Sequence, residues 1–149
     1  IVLMFIGASP GSTGGGIKTT TLAILSFAII SMLKGKKDIS VFKRRIPNDN
    51  FREASGLVFL AATFIFVIVM ILLIIEPFRF EDIIFEAISA FGTVGLSRGI
   101  TPFLSSQGKI LITLLMYIGR VGPLTLIYAF AKKKNYSNIN YAEESIAIG

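Results

Sequence analysis

The sequence predicts an all-α membrane protein built of helix–pore loop–helix repeats. Three observations carry this expectation. Hydrophobic residues make up 53% of the chain and the mean hydropathy is +0.74, well above the range of a soluble domain. Two long apolar runs, Leu57–Ile75 and Ile110–Ala131, flank Phe80–Pro102, a stretch too short and too polar to cross a bilayer. The net charge of +6 is unevenly spread. Basic residues bunch at Lys34–Arg52 and Lys132–Lys134, while Glu76, Glu81, Asp82 and Glu86 lie between the apolar runs.

The first predicted element is a broken span over residues 1–33. Ile1–Gly7 is apolar, Ala8–Thr21 (ASPGSTGGGIKTTT) interrupts it, and Leu22–Leu33 resumes it. Each half is too short for a hydrocarbon core of roughly 30 Å, although the whole has the length. A break at membrane depth is tolerated only where protein or a water-filled cavity satisfies its backbone. A charge at Lys18 costs roughly 3 kcal/mol or more against lipid, so it is expected to face water or a carboxylate. Three successive glycines, Gly14, Gly15 and Gly16, are an entropically costly choice for a static segment, which favours a mobile gate over residues 8–21.

The same stretch nearly matches the phosphate-cradling GxxxxGK[ST] pattern, but Ile17 adds one residue between the last glycine and Lys18. That extra residue would carry the lysine off the phosphates. A membrane-embedded nucleotide-binding protein using Gly11–Thr19 is thus an alternative that the spacing disfavours.

Residues 34–53 form the basic loop, expected to be cytoplasmic because short loops on that side collect Lys and Arg. Topology accounts for its charge, so nucleic acid is not expected as a partner. Residues 54–76 are the outer transmembrane helix, uncharged over about 22 residues. Glu76-Pro77 should end it, since proline disfavours helix in the residue before it.

Residues 80–102 are the predicted pore helix and filter loop. Ile84, Ile88 and Phe91 recur at helical spacing across Glu81–Phe91. Thr93-Val94-Gly95-Leu96-Ser97 is a poor helix, and Thr-Val-Gly begins the run whose backbone carbonyls line potassium filters. The plan is that of a re-entrant pore loop of the potassium-channel type. Glu86 lies on the pore helix, where hydrogen bonding to neighbouring segments is preferred to direct ion binding. Excess acid on the outer side also attracts cations to the mouth.

Residues 109–131 are the inner transmembrane helix, interrupted by Arg120 with Gly119, Gly122 and Pro123 around it. Arg120 is too deep to snorkel, so it forms a structural ion pair or faces the ion path. Residues 132–149 are read as a cytoplasmic tail. Met4-Phe5-Ile6-Gly7 resembles Met116-Tyr117-Ile118-Gly119 at an offset of 112 residues. The chain therefore reads as the end of one unit followed by a complete one, from a parent of roughly 450 residues. Cysteine and histidine are absent, which removes thiolate sites and the usual general base. No bond-making chemistry is indicated, so an enzyme is not expected.

Three stretches together, Ile6–Thr21, Ser89–Ser97 and Tyr117–Thr125, resemble the Trk/Ktr/HKT cation transporters. The likeness is strongest to the KtrB membrane subunits of bacterial Ktr potassium uptake systems. It implies four pore-loop repeats in one chain, of which this is the third repeat's inner helix and the whole fourth repeat. It implies a filter strand at Thr93, Val94, Gly95 and Leu96 coordinating K+, and an intramembrane gate at Gly14, Gly15, Gly16 and Lys18. It places Arg120 as a charge near the ion path. It further implies a homodimer in the bacterial plasma membrane, multi-pass with a cytoplasmic C-terminus. Its regulator would be a KtrA-like cytoplasmic ring whose RCK domains bind ATP or ADP, and Na+ would be an activator. Leu96-Ser97 stand where potassium channels have Tyr-Gly, so a shorter carbonyl ladder is expected, and a Trk-type or sodium-permeable relative is the alternative within transport.

Overall fold

The computed structural model describes residues 1–35, 40–41 and 44–122. The expected end of the inner helix, Lys132–Lys134 and the tail lie outside the described residues. The elements are α1 (Val2–Phe5), α2 (Thr19–Leu33), β1 (Ser40–Val41), β2 (Arg44–Arg45), α3 (Asn48–Ile75), α4 (Phe80–Gly92) and α5 (Ser106–Val121). A 3-10 turn at Thr101–Phe103 precedes α5. The two short strands pair antiparallel, Ser40 opposite Arg45 and Val41 opposite Arg44, within the basic loop.

The broken span folds as two helices around an irregular segment. α1 stops where Ile6 becomes extended, and Ile6 forms a parallel bridge with Ile17. Gly7 N donates to Ile17 O at 2.7 Å, and Ile17 N donates to Phe5 O at 3.2 Å. The segment thus returns to its own starting point, with Ile17 fully buried beneath it. Gly7 is required there, because a Cβ would overlap the carbonyl of Gly15.

α3 begins at Asn48, six residues before the expected start at Ala54. Apolarity marks where lipid begins, not where the helix begins. Nothing in Asn48–Glu53 breaks a helix, and Asp49 in its first turn complements the helix dipole. One described helix, within Asn48–Ile75, is long and apolar enough to cross a membrane. One face of α3 (Ala61, Ile65, Ile68, Val69, Leu72) is buried, whereas Phe59, Phe66 and Ile74 project outward. α3 ends at Ile75, just before Glu76-Pro77.

α4 is the centre of the molecule and packs against α1, α3 and α5. Every residue from Glu86 to Gly92 is buried. Where lipid replaces water, helices associate through close packing and small residues rather than through the hydrophobic effect, and the contacts here have that character. A Cβ on Gly92 would overlap Met4 O, and one on Gly119 would overlap Phe91 O. The Phe5 and Phe91 rings stack with centroids 6.1 Å apart.

α5 starts at Ser106, with Ser105 as N-cap accepting from Gly108 N at 3.1 Å. It ends at Val121, because Gly122 takes φ 88°, a left-handed value suited to glycine.

Candidate functional site

The segment predicted to form the filter begins at the C-terminus of α4. Val94 N donates to Ser89 O and Thr93 N to Ala90 O, both at 3.1 Å. This is the double bond pattern of a Schellman motif, which needs a left-handed residue at its turn. Here that residue is Thr93, at φ 51°. It is the only non-glycine with positive φ among the described residues. A β-branched residue in this region is a strained outlier, and such outliers gather at functional sites. Gly95 follows at φ 79°, so the chain reverses its peptide orientation twice within three residues.

The segment after it is pinned to α4. Ser89 Oγ donates to Leu96 O. Glu86, 5% exposed, accepts from Ser97 Oγ, from Arg98 N at 2.9 Å and from Thr101 Oγ1 at 2.8 Å. The hydrogen-bonding role expected of Glu86 is therefore what its carboxylate performs. The Leu96 carbonyl oxygen is engaged by Ser89 of α4. Thr93, Gly95 and Leu96 line a cavity of about 590 Å³ together with Glu86, Ser89 and Met116 of α5.

The glycine-rich segment reaches this site directly. Gly15 N donates to Thr93 Oγ1 at 2.8 Å. Gly16 N donates to Gly119 O at 3.2 Å. Gly15 is buried, and a Cβ on it would lie 2.7 Å from Thr93 Cγ2 and 3.0 Å from Gly119 O. The segment is therefore wedged between Thr93 and the last turn of α5. Gly119 O is available for a chemical reason. It lies in the last turn of α5, whose carbonyls lack donors within the helix, and the residue four positions on is Pro123, which has no N–H. Gly14 is exposed, and its N–H donates to Ser12 Oγ at 3.4 Å.

Lys18 and Arg120 are both exposed, and neither side chain forms an ion pair or hydrogen bond among the described residues. The structure brings Lys18 to the N-cap of α2, three residues from Gly15, and Arg120 next to Gly119. No acidic partner for Arg120 occurs among the described residues.

The acids between α3 and α5 divide into two kinds. Asp82 pairs with Arg98 at 2.9 Å and Glu81 with Arg79 at 3.3 Å. Glu76 and Glu86 are buried and, among the described residues, held by hydrogen bonds alone. Sequence reasoning singled out Glu86 but missed Glu76, Ser89, Ser97, Thr101 and Gly119 as parts of the frame. Only Pro123, four residues after Gly119, carried a signal for any of them. Among the described residues no group of three or more His, Cys, Asp or Glu could hold a metal ion; donors for a monovalent cation would here be backbone carbonyls and hydroxyls.

Residues 1–140 match the family model described as "TrkH: Cation transport protein". The chain belongs to the TrkH family. TrkH-family proteins are all-α membrane transporters of cations and not enzymes. The chain is 43% identical over 147 residues to "Ktr system potassium uptake protein D" of Bacillus subtilis, covering 99% of this chain and 33% of that protein. It is 41% identical over 149 residues to "Ktr system potassium uptake protein B" of the same organism, covering 100% and 33%. It is 44% identical over 153 residues to "Potassium/sodium uptake protein NtpJ" of Enterococcus hirae, covering 99% and 34%. The chain spans about a third of the length of these curated relatives.

Proposed function

We propose that this TrkH-family chain contributes one filter loop and the gate of a potassium-translocating pore, as part of a Ktr-type uptake protein. A carbonyl filter needs four loops around an axis, and the chain supplies one, consistent with its third-length match to its relatives. Potassium, dehydrated, is coordinated by the carbonyls of Thr93, Val94 and Gly95 and by the Thr93 hydroxyl. Leu96 is a weaker contributor because Ser89 already occupies its oxygen. Gly14–Gly16 is the gate, and Lys18 and Arg120 are cations beside it that tune ion occupancy.

The single observation that carries this reading is the hydrogen bond from Gly15 N to Thr93 Oγ1. It ties the glycine segment to the first residue of the filter, so in this conformation the loop stands across the route leading out of it. The wider assembly follows the Ktr resemblance: a multi-pass homodimer with a cytoplasmic C-terminus, a KtrA-like ring of nucleotide-binding RCK domains, and sodium as activator. Sodium permeation is a second reading within transport. It is favoured by the occupied Leu96 carbonyl and by a relative named for both ions.

Rubidium tracer uptake into liposomes holding the full-length protein tests the proposal. Uptake should be suppressed more by potassium than by sodium, and deleting Gly14–Gly16 should raise it. Unchanged flux from a folded deletion protein would remove the gate. Equal suppression by both ions would favour the sodium-permeable reading.

A further inference from the structure

We infer that Glu86 is a positioning residue that sets ion preference, holding the strand after the filter from behind. The inference rests on the filter reading of Thr93–Gly95. Asp82, Glu86 and Ser89 follow one another at spacings of four and three, so they lie on one face of α4. That face makes a ladder of bonds to the returning chain. Ser89 holds Leu96 O. Glu86 holds Ser97 Oγ, Arg98 N and Thr101 Oγ1. Asp82 holds the Arg98 guanidinium at 2.9 Å. Ser97 Oγ then accepts from Gly99 N at 2.9 Å, extending the ladder one residue along the turn.

Glu86 is the centre of this ladder and its only buried acid. It has no cationic partner among the described residues, because Arg98 offers it a backbone N–H and gives its guanidinium to Asp82. A buried carboxylate held by hydrogen bonds alone is costly to maintain unless something nearby benefits from its charge. The cavity it lines also contains Thr93, Gly95 and Leu96. Its negative charge is therefore placed to favour a dehydrated cation in the filter, while its three bonds fix the carbonyl spacing on which preference between ions depends. Gln at this position could accept two of the donors but would turn its own N–H2 toward a third.

The test is rubidium uptake by the full-length protein under potassium or sodium competition. Glu86→Gln should reduce the preference for potassium over sodium by about ten-fold, the scale of one charge-assisted hydrogen bond. Thr101→Val, which removes a donor without changing side-chain volume, should shift the preference in the same direction. Thr101→Ser, which keeps the hydroxyl, should restore it. The Thr101 pair decides the matter even where Glu86→Gln fails to fold. Equal preference in Thr101→Val and Thr101→Ser, or unaltered preference in a folded Glu86→Gln protein, would overturn the inference. Gly95→Ser is measured alongside: a shift there, with none in the Glu86 and Thr101 variants, removes only the positioning role. No shift in Gly95→Ser removes the filter reading beneath it.

Discussion

Thr93 meets two demands that pull in opposite directions. Its backbone must take a left-handed turn to end α4, which glycine would do at lower cost. Strain of this kind is worth about 1–3 kcal/mol. In return the side chain supplies a hydroxyl at the start of the proposed filter, and Gly15 N donates to it. Gly15 is constrained to match. A methyl group there would meet Thr93 Cγ2 at 2.7 Å and Thr93 Oγ1 at 2.8 Å, closer than real Cβ contacts allow, with Gly119 O at 3.0 Å. Gly15→Ala should therefore displace the loop from its seat. If the lost bond is worth about 1 kcal/mol, the undocked population rises about five-fold, and rubidium uptake should rise with it. Uptake at or below the wild-type rate in a folded Gly15→Ala protein would show that the contact does not limit flux.

At the level of elements, α4 was legible because its spacing and its end are both local. Ile84, Ile88 and Phe91 mark the helix, and Thr93-Val94-Gly95 cannot continue it. The break between α1 and α2 was legible for the same reason, from Gly14–Gly16 and Pro10. The partners of that break were not. Gly119 O and Thr93 Oγ1 are distant in sequence, and a hydrogen bond between segments leaves no periodic trace. The start of α3 was missed because Asn48–Glu53, polar at five of its six positions, looks like loop.

The link between α3 and α5 was equally hidden. Glu76 follows α3 and accepts from both Ser105 N, at 3.0 Å, and Ser105 Oγ, while Ser105 caps α5. Gly108 is small because Glu76 Oε1 occupies the place of its side chain. Gly108→Ala should thus expel a buried carboxylate from its donors, at a cost of about 1–3 kcal/mol. The readout is the thermal midpoint of the full-length protein in detergent, which should fall. Glu76→Gln should lower it as well, since the amide loses charge at the N-terminus of α5. An unchanged midpoint in both variants would mean that the α3–α5 link carries little of the stability.

For the whole molecule, the decisive feature is the length of α3. Its 28 residues, at 1.5 Å each, extend about 42 Å, more than the roughly 30 Å hydrocarbon core. The polar turn at Asn48–Glu53 and the Glu76-Pro77 end should then stand on opposite sides of the membrane. Charge assigns the sides. Arg45 and Arg52 accompany the first end, whereas the two acid–arginine pairs and the two buried glutamates accompany the second. The positive-inside rule places the first end in the cytoplasm. On that orientation the proposed filter loop would open outward, and the glycine segment, bonded to Thr93 and to the last turn of α5, would lie on its inner side, the order that the proposed gate requires. This chain has no cysteine, so single cysteines can report the sides once any elsewhere in the full-length protein are replaced by serine. In intact cells a membrane-impermeant maleimide should label Phe103→Cys, at a position 76% exposed. It should reach Asp49→Cys only after the membrane is opened. Labelling of both from outside would contradict a single crossing by α3. The reverse pattern would invert the path, placing the glycine segment on the outer side of the filter, and would remove its role as a cytoplasmic-side gate while leaving the filter loop intact.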